Sequence, residues 1–205
     1  MSNSQFWNER YSQEVYAYGR SPNVYFYEEI KKLRVGKLLL PCEGEGRNAV
    51  AASKLGWEVT AFDQSDVGMR KALALAADAS VSLDYKVGQL KDLEFIESAF
   101  DAIGLVFAHM PVDERANFHQ SVSKLLKPGG YLILEGFHIK QLGKSSGGPQ
   151  QVEMLFTEEI LRSDFNTLTI QSITDLEVEL DEGPYHKGKA HVIRMLAYHN
   201  GGHGN

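Results

Sequence analysis

A chain of 205 residues is long enough for one domain with a sizeable core, and 43% hydrophobic with 23% charged residues is ordinary for a soluble globular protein. The formal net charge of −6 argues against nucleic acid or an anionic membrane as the main partner. No apolar run approaches a membrane span, Met1-Ser2-Asn3-Ser4-Gln5 does not read as a signal peptide, and Cys42 as the single cysteine excludes an internal disulfide and fits a reducing cytoplasm.

Phe6, Trp7, Tyr11, Tyr16, Tyr18, Tyr25, Phe26 and Tyr27 crowd residues 1–33. Tyr18-Gly19-Arg20-Ser21-Pro22-Asn23 reads as a loop, followed by a helix from about Val24 to Leu33 whose Phe26 and Ile30 pack it onto the rest. For Trp7, Tyr11 and Tyr18 two accounts stay open. They are plain packing residues, or they form a lid whose ring faces attract a cation and keep water from a reacting centre.

The stretch Leu38 to Ala49 organises the chain. Leu38-Leu39-Leu40 reads as a buried strand, Gly44 and Gly46 as a tight turn, and Ala49 to Leu55 as a helix stopped by Gly56. A second strand, Glu58 to Phe62, ends in Asp63, an acid at the distance expected for gripping a ribose. Together these describe a nucleoside-binding βαβ unit. Gly44-Glu45-Gly46-Arg47-Asn48-Ala49 formally fits the dinucleotide pattern G-x-G-x-x-G/A. Glu43 and Glu45 would then face a pyrophosphate, a repulsion of roughly 1–4 kcal/mol per charge pair at about 4 Å. S-adenosylmethionine, a sulfonium with an ammonium and no phosphate, suits an acidic glycine loop better, unless one of the two glutamates only points to solvent.

After Gln64 and Ser65 come a helix from about Val67 to Ala77 and a weaker strand from about Val81 to Val87, leading to Gly88-Gln89-Leu90. Parallel strands end along one crevice, which puts Gln89 and Leu90 beside whatever Asp63 holds, with Gln89 on an adenine edge or merely exposed in a turn. Phe100 to Phe107 is the next strand and delivers His109 to the same crevice. Asp113 to Leu126 reads as a helix with Phe118, Val122, Leu125 and Leu126 on its apolar face, and Lys127-Pro128-Gly129-Gly130 turns into the strand Tyr131 to Glu135.

Leu126-Lys127-Pro128-Gly129-Gly130-Tyr131 is similar to a turn widespread in class I S-adenosylmethionine-dependent methyltransferases. Pro41 through Ala49 resembles the cofactor loop of their tellurite-resistance and thiopurine methyltransferase branch. Phe6-Trp7 with Arg10-Tyr11, Tyr18-Gly19, Pro22-Asn23, Glu135-Gly136-Phe137, Gln141-Leu142, Gly147-Gly148-Pro149 and Glu153-Met154-Leu155 extend the resemblance over most of the chain. It implies a three-layer, Rossmann-like α/β methyltransferase fold, with a seven-stranded, mostly parallel sheet whose last strand is antiparallel. It also implies one domain over 1–199, comprising an aromatic cap at 1–33 and a candidate substrate loop at 136–153. Residues 200–205 are expected to form a disordered tail.

Carried over by resemblance, Gly44 and Gly46 lie under the methionine moiety, Asp63 on the ribose, Gln89 and Leu90 at the adenine, and His109 after the fourth strand. The candidate cofactor contacts are therefore Trp7, Tyr11, Tyr18, Cys42, Glu43, Gly44, Gly46, Asn48, Asp63, Gln64, Ser65, Gln89, Leu90 and His109. Two positions depart from the family: Leu40 stands where an acid is usual, with Glu43 a substitute for ammonium recognition, and Gln89 stands where Asp is frequent. The expected chemistry is in-line methyl displacement onto a small-molecule acceptor. A soft sulfur, selenium or tellurium nucleophile needs no base; an oxygen or nitrogen one calls on His109 or His138. Arg47 and Arg115 are candidates for drawing in an anionic substrate, and the 136–153 loop for bringing His138 and Gln141 to the methyl group, if it is more than a solvent loop.

The chain ends in a helix opened by Thr157-Glu158-Glu159 and two alternating segments, Leu168 to Leu180 and Ala190 to Tyr198, that read as an antiparallel pair. His186, His191, His199 and His203 match no metal-ligand spacing, and no metal is expected. A non-catalytic S-adenosylmethionine-binding module and a nicotinamide-dependent oxidoreductase are the alternatives. The oligomeric state is not readable.

Overall fold

The structure is a computed structural model and describes residues 3–201. Seven strands form one sheet in the order β3-β2-β1-β4-β5-β7-β6. They are β1 (Lys37–Pro41), β2 (Glu58–Asp63), β3 (Asp84–Val87), β4 (Phe100–Val106), β5 (Leu126–Phe137), β6 (Thr169–Asp181) and β7 (Lys187–Tyr198). β1 to β5 are parallel, and β7 is antiparallel to both β5 and β6. β6 therefore runs in the same sense as β5, and the β6–β7 hairpin, residues 182–186, lands at the edge where β1 to β5 have their carboxyl ends.

The three leucines of β1 explain why it is central. Side chains alternate across a strand, so Leu39 enters one core with Phe62, Ile103 and Leu134, while Leu38 and Leu40 enter another with Phe26, Ile30 and Ile133. Both faces are covered, as a parallel sheet requires. The helices are α1 (Asn3–Tyr11), α2 (Val24–Ile30), α3 (Arg47–Lys54), α4 (Asp66–Asp78), α5 (Val112–Ser123) and α6 (Glu158–Asp164). Among the described residues no helix is long and apolar enough to cross a membrane.

Several boundaries differ from the sequence reading. α1 carries the aromatic cap as a helix, held to α4 by Asn8, which donates to Asp66 (2.8 Å) and accepts from the Ser65 hydroxyl (2.5 Å). The third strand begins only at Asp84. α5 stops at Ser123, because Leu126 pairs with Phe100 in the sheet and is fully buried there. The expected turn Lys127–Gly130 is an irregularity inside β5: pairing resumes at Tyr131 with Ala102, and Gly129 (φ +81) donates its N–H to the His199 carbonyl. The stretch 136–153 begins with the last two residues of β5 and then holds short 3-10 turns at Ile139–Gln141 and, partly, Val152–Met154. Of the expected disordered tail, residues 202–205, with His203, lie outside the described residues.

Candidate active site

A cavity of about 1430 Å3 opens at the carboxyl edge of the sheet, between the strand ends, the N-terminal cap, the 145–151 loop and the β6–β7 hairpin. That exceeds the ~300–1,000 Å3 common for one small ligand, so it has room for two reactants. Trp7, Tyr11, Tyr18, Cys42, Glu43, Arg47, Asn48, Asp63, Gln64, Gln89, Leu90 and His109 border it. Gly44, Gly46, Ser65 and His138 are not among the bordering residues.

At the β1–β3 end the polar groups are tied to the backbone. Gly46 (φ +87) caps α3 and lies against α4, where a Cβ would fall 2.5 Å from that of Ala72. Gly44 (φ +61) passes under the Tyr11 hydroxyl, 2.5 Å from where a Cβ would stand. Both glycines are closely packed against neighbouring elements behind the cavity wall. Cys42, also left-handed at φ +56, turns the chain so that Glu43 folds back onto α3. Glu43 Oε1 accepts the N–H groups of Asn48 and Ala49, both at 2.8 Å, and Oε2 accepts from Asn48 Nδ2 at 3.2 Å. Burial pushes its carboxyl up to about 7 against these bonds. Glu45 accepts from the Ala17 N–H at 2.7 Å and pairs with Lys71.

Neither glutamate points to solvent, and both carboxylates are engaged by the chain itself. The N–H groups at the start of α3, where a diphosphate would bind, are already occupied by Glu43. Asn48 is committed too, its Oδ1 accepting from the Asn23 N–H at 2.9 Å. Ser65, expected at the cofactor, instead caps α4 by accepting the Gly68 N–H at 2.9 Å and is fully buried.

Asp63 differs from its neighbours. Its oxygens accept from the N–H groups of Gly44 (3.1 Å) and Ser65 (2.9 Å), which fix the carboxylate, yet it borders the cavity with lone pairs to spare. Burial raises its pKa to about 6. Gln89 donates to Gln64 at 3.4 Å beside it, and Leu90 supplies an apolar wall. Over this floor Trp7 stacks on Tyr11 (centroids 5.5 Å), and Tyr11 meets Tyr18 edge-on at 6.4 Å. Packing and lid are thus not exclusive for these rings: they pack on one another and face the cavity.

The histidines depart most from the sequence reading. His109 Nε2 accepts the Phe137 N–H at 3.0 Å, which puts its proton on Nδ1, 2.7 Å from the Met154 carbonyl. Its ring lies on Phe156, and burial first of all lowers its pKa to about 4. With both nitrogens committed, His109 is a neutral strut joining β4, β5 and the following loop, not a base. His138 lies away from the cavity, its ring beside His191 at 5.1 Å. Gln141 is fully buried and donates to Ser146 Oγ (2.8 Å) and the Gly147 carbonyl (3.0 Å), so it anchors the 145–151 loop from behind. Arg115 is bound to Asp164 at 2.8 Å and does not border the cavity. Arg47 does border it, but is buried and paired with Glu182 at 2.8 Å. His138, Asp175 and His191 bring potential ligand atoms within 4.8 Å, although Lys140 Nζ already sits 2.6 Å from Asp175.

One residue that the sequence reading treated only as a metal candidate faces the cavity: His186, in the β6–β7 hairpin. Its Nδ1 is 3.5 Å from Glu182 Oε2, and its ring is framed by Phe107 (4.4 Å), Tyr18 (4.5 Å) and Phe137 (5.2 Å). Gly147 (φ +123) lets the loop press against it, since a Cβ there would meet the ring at 2.7 Å. The available signal was topological: a histidine in the turn of the final hairpin, whose first strand runs with β5.

Residues 40–130 match the family model described as "Methyltransferase domain". A ubiquinone biosynthesis O-methyltransferase of Xanthomonas campestris pv. campestris (strain B100) is 32% identical over 92 residues, 44% of this chain and 38% of that protein. The chain thus spans less than two fifths of the length of that relative. A solved structure described as "Conversion of a Disulfide Bond into a Thioacetal Group during Echinomycin Biosynthesis" superposes with a TM-score of 0.78 at 16% identity, covering 99% of this chain and 95% of the other. TehB from Haemophilus influenzae gives 0.71 at 16% identity, covering 95% and 66%. The matched segment runs from the end of β1 to the start of β5, the cavity floor, and the chain as a whole has the Rossmann-like methyltransferase fold.

Proposed function

We propose that the protein is an S-adenosylmethionine-dependent methyltransferase that acts on a small-molecule acceptor, as one domain over 1–199. The observation that carries this is the Glu43 carboxylate lying on the N–H groups of Asn48 and Ala49. A dinucleotide loses its diphosphate seat, while a nucleoside without phosphate loses nothing. The remaining donors and faces fit the sulfonium nucleoside: Asp63 for ribose hydroxyls, Gln64, Gln89 and Leu90 for the base, and the rings of Trp7, Tyr11 and Tyr18 for positive charge. Bound there, S-adenosylmethionine supplies an electrophilic methyl group and leaves as S-adenosylhomocysteine.

The chain's own part is to hold acceptor and methyl in line and to exclude water under the cap. Leu40 contributes to the core rather than to the ligand, and the ammonium group is left to the rim. Membership of the tellurite-resistance and thiopurine branch, a soft sulfur, selenium or tellurium acceptor, and a cytoplasmic location are parts of this proposal that rest on the sequence resemblance and the single cysteine. The net charge of −6 supports a small acceptor over nucleic acid.

Thermal shifts with S-adenosylmethionine, S-adenosylhomocysteine and NAD test the cofactor. A ligand at about a hundred times its Kd adds roughly 2.7 kcal/mol to folding stability. Stabilisation by both sulfur nucleosides is expected, and stabilisation by NAD alone overturns the reading. Labelled-methyl transfer to thiol, selenite, tellurite and phenol acceptors then separates an enzyme from a binding module.

A further inference from the structure

We propose that His186 is the general base of this site, and that the acceptor it serves is a small molecule with an ionisable hydroxyl on a flat ring. The inference rests on the methyltransferase reading above and departs from it in one respect: the acceptor is a hydroxyl that needs a base, in place of the soft nucleophile that the sequence resemblance suggests.

Among the described residues two histidines border the cavity, and they are held in opposite ways. His109 has both nitrogens engaged by main-chain groups. His186 has only Nδ1 engaged, by Glu182, and among the described residues nothing hydrogen-bonds its Nε2. Glu182 is itself fixed by Arg47 at 2.8 Å and Asn23 at 3.0 Å. The carboxylate beside Nδ1 favours the proton there and leaves the Nε2 lone pair without a partner on a ring that borders the cavity next to Gly147, the arrangement that general-base catalysis needs.

The groups facing His186 from other elements are Arg47 of α3, Arg10 of α1, and Tyr18 of the cap, with His109 beyond Phe137. Burial above all, then Arg47 and Arg10, lower its pKa, and Glu182 opposes them. The imidazole is therefore neutral and able to accept a proton at pH 7. Phe107, Tyr18 and Tyr185 line the space around it, with the Arg10 guanidinium lying over the Tyr185 ring at 3.9 Å. Such walls suit a flat ring and, through Arg10, the oxyanion formed from it.

The step balances without a further reactant. The hydroxyl proton passes to His186 Nε2, the oxygen lone pair forms the new C–O bond, the S–CH3 bond breaks, and its electron pair stays on sulfur. A thiolate or selenolate acceptor, already deprotonated, would gain nothing from this imidazole.

The test uses 4-nitrophenol, whose phenolate absorbs in the visible, bound to the protein with and without S-adenosylhomocysteine. In the wild type the apparent pKa of the bound phenol is expected to fall by about one unit or more. In His186→Asn, whose side-chain amide can keep the bond to Glu182 but has no Nε2, it should return to the free value while S-adenosylhomocysteine affinity is unchanged. Turnover of any phenol that is methylated should drop by roughly 10²- to 10⁴-fold. Equal ionisation in both proteins overturns the assignment of the base, and no binding of phenol to the wild type overturns the acceptor class. A wild type that ionises phenol but ignores S-adenosylhomocysteine sinks the methyltransferase reading and leaves the base standing. Should His186→Asn fail to fold, the wild-type His186 ring resonances decide: they must titrate below 6.5 and shift when phenol binds, and a ring unmoved by phenol refutes the proposal.

Discussion

The two ends of the cavity use their polar residues differently. At the β1–β3 end, Glu43, Asn48 and Ser65 turn back to hydrogen-bond the backbone, and Asp63 is fixed by backbone N–H groups in the same way at the cavity's border. At the hairpin end, Glu182 turns a side chain outward, holding His186 towards the cavity. The first end is a frame that fixes where a nucleoside lies. The second is a set of side chains whose protonation and contacts govern what reacts with it. Acidic residues near a glycine turn thus need not be ligand groups: here two of them build the turn.

The largest effect should come from breaking the frame. Glu43→Ala strips the acceptor from two N–H groups at the start of α3 and from the Asn48 amide. Each unmet buried group costs about 1–3 kcal/mol, so a loss of about 3 kcal/mol or more is expected. At about 2–4 °C per kcal/mol for a chain of this size, melting should fall by roughly 6–12 °C. An unchanged melting temperature with weakened cofactor binding would return Glu43 to the ligand.

The wall between the two ends carries a pH signature. His109 has a folded pKa of about 4 against an ordinary 6.5, so between these values the unfolded chain binds more protons. Stability from this group is complete above 6.5 and is lost as pH falls towards 4, by up to about 3 kcal/mol at 1.36 kcal/mol per unit. His109→Phe should flatten that slope in denaturant titrations, whereas His186→Asn should leave most of it.

Asp63 is the next smaller test. Hydrogen bonds to a charged group contribute about 1.5–3 kcal/mol. Asp63→Asn should therefore weaken S-adenosylhomocysteine binding by roughly 10- to 100-fold in calorimetry, and an unchanged Kd would remove Asp63 from the ribose.

Local signals carried much of the fold. Three consecutive leucines, two glycines and an acid ending the next strand defined β1, α3 and β2, because buried parallel strands are apolar on both faces and the turn requires left-handed residues. Leu125 and Leu126 misled because they continue the helical spacing of Phe118 and Val122. The pairing of Leu126 with Phe100, a long-range contact, ends the helix instead. α1 has no apolar stripe, and tertiary bonds through Asn8 help hold it. Glu43 and His109 sit at the chain positions expected of ligand groups. Their direction follows from φ at Cys42 and from the N–H of Phe137, neither of which spacing records. His186 depended on the sense of β6, which is set by β7 pairing antiparallel with both β5 and β6, a long-range arrangement that no local pattern records.

The smallest effect separates a lid from a packing residue. Trp7 lies over the cavity rim, stacked on Tyr11 at 5.5 Å. Removing the indole takes hydrophobic cover from either sulfur nucleoside, but takes cation–π attraction only from the sulfonium, a difference of about 0.5–1 kcal/mol at a partly exposed site. Trp7→Phe keeps most of the packing with a weaker ring face, and Trp7→Ala removes both. Calorimetry on these variants should show affinity for S-adenosylmethionine falling more than for S-adenosylhomocysteine, by about two- to fivefold for Trp7→Ala. Equal losses for the two ligands would leave Trp7 as packing alone and move the sulfonium contact to Tyr11 or Tyr18.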